Sequence, residues 1–213
     1  MANYKQLKEK SYNLIKQEIL SNRLESGQYL EEKMLCDLVG ASRTPVRESI
    51  NMLEQEHLVQ TIPGKGVFVT TVSVQSIKEL FQMRRMLEPL ALQMAHESLN
   101  IDILLSFRDK FMAETENKNY ALLHQLDYEF HNYINDNSRN EYMIRFLRVL
   151  SDNFQRVRTQ PFYAEQRTLG GAREHLTLID FIIDGNIEEA KKFLVEHIAN
   201  TEKYYFKSLS SNG

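Results

Sequence analysis

Two sets of residues in this chain have types and spacings that could do chemistry. The first is the run Ser42 to Glu48, SRTPVRE, in which Arg43 and Arg47 flank Thr44 and Pro45. Proline is tolerated at the first helical position, where an amide hydrogen would have no partner. A threonine before it can cap the helix through its hydroxyl. The run therefore predicts a helix that opens at Pro45 under a Thr44 cap. A helix N-terminus draws anions through its free N–H groups and its dipole, and two arginines there make a site for a phosphate or for the O6/N7 edge of a guanine. The second set is Asp127, His131, His175 and His197. Asp127 and His131 are four apart and share a helix face. His175 lies ten residues before Gly185 and His197 twelve after it. If two helices turn at Gly185, a rise of about 1.5 Å per residue brings both imidazoles to nearly the same height. Three imidazoles and one carboxylate suit a divalent transition metal such as Zn, Ni, Mn or Fe, with one or two positions left for another ligand. Each histidine read alone is a packed or solvated residue, and His57, His96 and His124 fall in that class. His124 shares the face of Asp127 and His131 and is the rival ligand.

The elements that must position these residues follow from periodicity and turn signals. Tyr12, Ile15 and Ile19 recur at helical spacing, which predicts a first helix over about 5–21. Leu24 to Gln28 reads as a turn. Glu31 to Val39 is a short second helix, closed by Gly40 in a left-handed cap. Thr44 to His57 is a third, with Val46, Ile50 and Leu53 on one face. The few residues around Gly40 give the spacing of a helix-turn-helix. Val59 to Ile62 and Val67 to Thr70 are strand-prone and flank Pro63-Gly64-Lys65-Gly66, a hairpin with a basic tip. Three helices and a hairpin make a winged helix. Beyond a connector at Thr71 to Gln75, six helices are expected at about 76–99, 101–116, 118–136, 140–159, 170–184 and 186–208, with breaks at Asn100, Lys118, Ser138, Pro161 to Gly171, and Gly185. The fold class is mainly α: an N-terminal winged helix-turn-helix and a C-terminal all-helical antiparallel bundle.

Composition bounds the function classes. The chain has 213 residues and a formal net charge of -3, a length for one large or two small domains. Its single cysteine, Cys36, excludes an internal disulfide framework and points to a reducing cytoplasm; it reads as a small buried apolar residue. No run approaches the roughly 18 apolar residues of a membrane span, and MANYKQLKEK lacks the apolar block of a signal peptide. Residues 1–72 hold nine bases and nine acids and are neutral. Bulk charge therefore cannot carry DNA affinity, which must rest on a few placed residues doubled by dimerisation.

The order Gly-x-Ser-Arg-Thr-Pro-Val-Arg-Glu, helix, Pro-Gly-x-Gly-x-Phe-Val resembles the DNA-binding domain of the GntR family of bacterial transcription regulators, over essentially all of residues 5–72. The resemblance implies operator contacts by Arg43, Thr44 and Arg47 and wing-tip contacts at Lys65 and Gly66. Lys33 stands where the family often has a backbone-contacting arginine; it keeps the charge without the bidentate geometry, so it is expected to touch phosphate only. The C-terminal half resembles the FCD effector domain of the FadR subfamily. The matching residues are Arg84-Arg85-Met86-Leu87-Glu88, Asp127 to His131, Glu174-His175, Gly185-Asn186, Ala190 and His197; Asn186 replaces the usual aspartate. This implies a metal held by Asp127, His131, His175 and His197, and a small carboxylate effector filling an open position on it. Arg84 is a candidate second contact for that carboxylate, or else an ion-pair partner of Glu88 four residues on.

Taken together, residues 1–72 would be the DNA-binding domain and 73–213 the effector and dimerisation domain of a cytoplasmic repressor. It would bind a palindromic double-stranded operator as a homodimer, because operator symmetry mirrors protein symmetry. Two alternatives stand beside this. One is a metal-dependent hydrolase with a DNA-binding appendage, since an open metal position can polarise water, although no further acid or base has the spacing of a proton shuttle. The other is a regulator whose metal is purely structural.

Overall fold

A computed structural model describes residues 2–158 and 165–211. The chain divides into two compact units, Met1–Val74 with Gln155–Thr159, and Gln75–Phe154 with Gln160–Gly213. In the first, α1 (Ala2–Leu20), α2 (Glu32–Val39) and α3 (Arg43–Gln55) pack against a three-stranded sheet of β1 (Tyr29–Leu30), β2 (Val59–Ile62) and β3 (Gly66–Val69), in the order β1-β3-β2. Ile15 and Ile19 from α1, Leu35 and Val39 from α2, Val46, Ile50 and Leu53 from α3, and Val59 and Val69 from the sheet form one buried cluster. The helical spacing of Ile15 and Ile19, and of Val46, Ile50 and Leu53, is what directs each helix's apolar face inward. Cys36 is half-buried against this cluster, not fully enclosed.

The local details depart from expectation at two points, β1 and the start of α3. β1 lies just past the segment read as a turn; it is only two residues long and pairs Tyr29 with Phe68 and Leu30 with Val67, a non-local pairing that carries no local periodicity. Helix α3 opens two residues early: Ser42 is the cap residue and makes no side-chain cap hydrogen bond, while Arg43, Thr44 and Pro45 are the first three helical residues. Thr44 is thus inside the helix and not its cap. The first-turn amides have no intrahelical acceptor, so proline costs no bond at the third position, as at the first. At the hairpin, β2 and β3 pair in register from Val59↔Val69 to Ile62↔Gly66. Gly66 has φ +105°, and a Cβ there would come within 2.6 Å of the Tyr29 ring, so glycine is needed both for the backbone and for the packing of β1 on β3.

The second unit is helical: α4 (Val74–Ala95), a 3-10 turn (His96–Ser98), α5 (Ile101–Glu116), α6 (Tyr120–Asp136), α7 (Glu141–Arg158), α8 (Glu165–Ile183) and α9 (Ile187–Ser211). Asn100 and Asn119 cap α5 and α6 by accepting first-turn amides. Helix α8 starts at Glu165, not 170, and runs through Gly170 and Gly171, which read in the sequence as breakers. Their bare faces meet the Arg167 side chain: a Cβ on Gly170 would lie 3.4 Å from Nη1 and one on Gly171 3.6 Å from Nη2. The expected break at Pro161 falls outside the described residues. Gly185 has φ +74° and turns α8 into α9.

Candidate metal centre and nucleic-acid interface

Three helices of the second unit deliver four candidate ligands to one point. Asp127 and His131 project from α6, His175 from α8 and His197 from α9. One oxygen or nitrogen from each lies within 4.8 Å of all the others. The Nε2 atoms of His131 and His175 are 3.1 Å apart; Asp127 Oδ1 is 3.5 Å from His175 Nε2, and its Oδ2 is 3.8 Å from His131 Nε2. A metal–nitrogen bond of about 2.0–2.1 Å sets neighbouring ligands of a tetrahedral or octahedral ion about 2.8–3.4 Å apart. The 3.1 Å and 3.5 Å pairs already lie at or near that spacing, and the wider ones, up to 4.8 Å, would contract onto the ion. The hairpin at Gly185 does bring His175 and His197 level, with ring centroids 4.5 Å apart. His124 is not in the group; its Nε2 lies 2.7 Å from Thr168 Oγ1.

The imidazoles are aimed by their surroundings. His131 Nδ1 donates to Glu88 Oε2 on α4 at 2.7 Å, and Arg84 Nε donates to the other Glu88 oxygen. His197 Nδ1 donates to Glu174 Oε2 at 2.7 Å. Glu174 is gripped in turn by both terminal nitrogens of Arg167 and by Asn200, and Arg167 also reaches Thr201 on α9. A carboxylate can only accept, so both histidines carry their proton on Nδ1 and turn the Nε2 lone pair to the centre. Burial by itself would raise the Glu88 carboxyl, but the Arg84 charge and the hydrogen bonds from His131 and Arg84 outweigh it and hold its pKa at about 2. Burial likewise opposes ionisation of Glu174, and hydrogen bonds from His197 and Arg167 hold it at about 2. Burial is the main force that lowers His197, which favours the neutral, metal-competent imidazole. His175 is placed by rings: it stacks on Phe111 at 4.8 Å and meets the edge of Phe130 at 5.3 Å. His131, His175 and His197 are 4%, 1% and 3% exposed.

Arg84 is buried and stacks its guanidinium 4.1 Å from the Phe154 ring centroid, with Glu88 as its ion-pair partner. This is the pairing that the four-residue spacing allowed. Glu88 and Glu174 had no role as histidine partners in the sequence reading. Glu174 sits beside His175 yet serves His197, and only the hairpin shows that.

In the first unit, Arg43, Thr44 and Arg47 line the exposed start of α3, and Lys33 is exposed on α2. Arg43 and Arg47 are 76% and 65% exposed at the side chain, and both meet Glu32, the first residue of α2: Arg47 Nε at 2.8 Å and Arg43 Nε at 3.3 Å. Lys65 is exposed at the hairpin tip, its amide bonded to Ile62 O at 3.0 Å. Gly66 opens β3.

A helix-turn-helix with a wing, followed by a helical domain with a buried histidine cluster, defines a DNA-binding regulator with a second, ligand-type domain. Comparison with known proteins specifies it. Residues 7–69 match the model of bacterial regulatory proteins of the gntR family, and residues 79–200 match that of the FCD domain. The chain belongs to the GntR family of transcriptional regulators and carries an FCD domain. It is 25% identical over 191 residues to the uncharacterized HTH-type transcriptional regulator YdhC of Bacillus subtilis, covering 87% of this chain and 85% of that one. It is 25% identical over 181 residues to the Nta operon transcriptional regulator of Aminobacter aminovorans, covering 84% and 85%. Among solved structures, E. coli McbR/YncC superposes with a TM-score of 0.82 at 19% identity, covering 94% of this chain and 97% of that one, which shows the shared fold. No helix among the described residues is long and apolar enough to cross a membrane.

Proposed function

We propose that this regulator is a homodimeric repressor whose grip on a palindromic double-stranded operator is set by a divalent metal and a small carboxylate effector in the C-terminal domain. Residues 1–72 read DNA, with Arg43, Thr44 and Arg47 toward the bases, Lys33 toward phosphate, and Lys65 with Gly66 at the wing; residues 73–213 sense and dimerise. The observation that carries the sensing half is the convergence of Asp127, His131, His175 and His197, with two imidazoles held by carboxylates in the tautomer a metal requires. Zn, Ni, Mn and Fe all accept this donor set, and a bound ion supplies a positive centre for the effector's carboxylate. On α4, Met86, Leu90 and Met94 form an exposed apolar row at four-residue spacing, which suits a helix facing a second copy. The protein acts in the cytoplasm.

The four ligands alone complete a tetrahedral ion, the arrangement of structural zinc. Effector sensing therefore requires an ion that accepts a fifth or sixth ligand. Arg84 holds Glu88, which in turn fixes His131, so an effector contact by Arg84 would be made beside that ion pair. Effector binding shifts the operator equilibrium only by its differential affinity for the competent and incompetent states.

The test is elemental analysis of the purified protein, then operator gel shifts with organic acids, with and without chelator. One metal per chain, and an acid that releases DNA only when metal is present, is the expected result. An acid that acts equally after chelation removes the metal from sensing.

A further inference from the structure

We infer that Glu32 is a specificity-determining residue of the DNA-reading surface: its carboxylate holds Arg47 by Nε, leaving that guanidinium's terminal edge to read bases, and pairs by charge with Arg43. The inference rests on the reading that Arg43 and Arg47 contact DNA. Glu32 is half-buried at the start of α2; its Oε2 accepts from Arg47 Nε at 2.8 Å, and its Oε1 lies 3.3 Å from Arg43 Nε as an ion pair without a hydrogen bond. The grip joins the two helices of the helix-turn-helix through the residues that would enter the groove.

Three physical consequences follow from that geometry. A guanidinium can present two parallel N–H groups to guanine O6 and N7 either from its Nη1/Nη2 end or from its Nε side edge. With its Nε occupied by Glu32, Arg47 is left with the end-on edge, while Arg43, paired by charge alone, keeps both. Holding the side chains before DNA arrives also removes part of the ordering cost of binding. Finally, Glu32 places a negative charge where phosphates approach. It weakens sequence-independent attraction while leaving base readout in place, so the ratio of specific to non-specific binding rises from both sides. The neutral balance of residues 1–72 fits a surface that gains selectivity from arrangement and not from total charge.

The test uses the full-length protein. Sites are selected from a random duplex library with the parent; the selected duplex and a scrambled one are then titrated by fluorescence anisotropy at several salt concentrations. Glu32→Ala is expected to lower the selected-to-scrambled affinity ratio at least tenfold. Its scrambled-duplex binding should be equal or tighter, and its log-affinity against log-salt slope steeper by about one. Glu32→Asp, which keeps the charge but has a shorter reach to Arg47 Nε, should fall between. The pair is exposed and contributes little to stability, so melting temperatures should coincide. An unchanged ratio in Glu32→Ala, with the ratio lost in Arg47→Ala run in parallel, overturns the inference alone. Unchanged ratios in both overturn the assignment of the arginines, and the role of Glu32 with it. Equal weakening on both duplexes by Glu32→Ala marks a general structural effect and also overturns it.

Discussion

The two functional regions are built on opposite plans. The proposed DNA-reading surface lies on one short segment, with arginines about two-thirds or more exposed and paired with one half-buried carboxylate. The histidine centre is assembled from three helices, almost wholly buried, and backed by ionised glutamates that are themselves held by arginines. An exposed charged site costs little to keep and can be altered without unfolding the chain. A buried polar site is stable only while every member is satisfied. Substitutions in the first region should change binding and leave stability alone; substitutions in the second should change both.

The largest effect is expected at His175. It is the most buried of the three imidazoles, sits against Phe111 and Phe130, and faces both His131 and Asp127. His175→Ala removes a central ligand and leaves a void between aromatic rings, so bound metal should fall from one per chain to near zero. Elemental analysis measures this. Chelator should lower the melting temperature of the parent but not of the variant. Equal metal in the two proteins removes His175 from the ligand set.

Arg47→Ala is the matching change in the exposed region. Loss of a bidentate base contact costs about 1–3 kcal/mol, so operator affinity in a gel-shift titration at fixed salt should drop by roughly five- to 150-fold. Metal content, dimerisation and melting temperature should not move. A fall in melting temperature of several degrees would break the comparison, because it would show that the surface arginine also carries the fold.

Glu88 and Glu174 sharpen it from the buried side. Neither belongs to the candidate ligand set, yet each fixes an imidazole that does. Removing such a partner typically costs 10–100-fold in metal affinity. Glu88→Ala and Glu174→Ala should show that loss in competition with a chromophoric chelator, and the glutamine variants, which keep an acceptor oxygen, should recover part of it. Were the alanine variants to lose thermal stability with metal affinity unchanged, the two carboxylates would be structural ion-pair members only.

The same contrast governs what could be read from the sequence. SRTPVRE is legible because its chemistry is contiguous: the residue types, their helical spacing and the following hairpin all lie within one short segment. Even there the cap was misplaced by two residues, since proline fits any orphaned first-turn position. Asp127 and His131 are legible as an i, i+4 pair, and His175 and His197 through their offsets from Gly185. What supports them is not. Glu88 reaches His131 only because α4 packs beside α6, and Gly170 and Gly171 read as breakers because the Arg167 side chain that lies against them belongs to the folded state. Strand β1 escaped for the same reason, two residues paired only through a partner nearly forty positions away. Local signals fix elements and first ligands; the groups that orient those ligands depend on how helices cross.

The smallest expected effect separates charge from geometry within the exposed region. Lys33 is exposed on α2 and offers a compact, mobile ammonium where a bidentate guanidinium would fix an angle. The contact proposed for it is with phosphate, so Lys33→Ala should weaken selected and scrambled duplexes by the same factor. It should also reduce the slope of log affinity against log salt by about 0.9, one counterion fewer released. Lys33→Arg should restore the slope. If the alanine variant instead weakens the selected duplex alone, Lys33 reads a base, and the division between placed arginines that specify and a lysine that only holds the backbone fails at the residue where it is easiest to test.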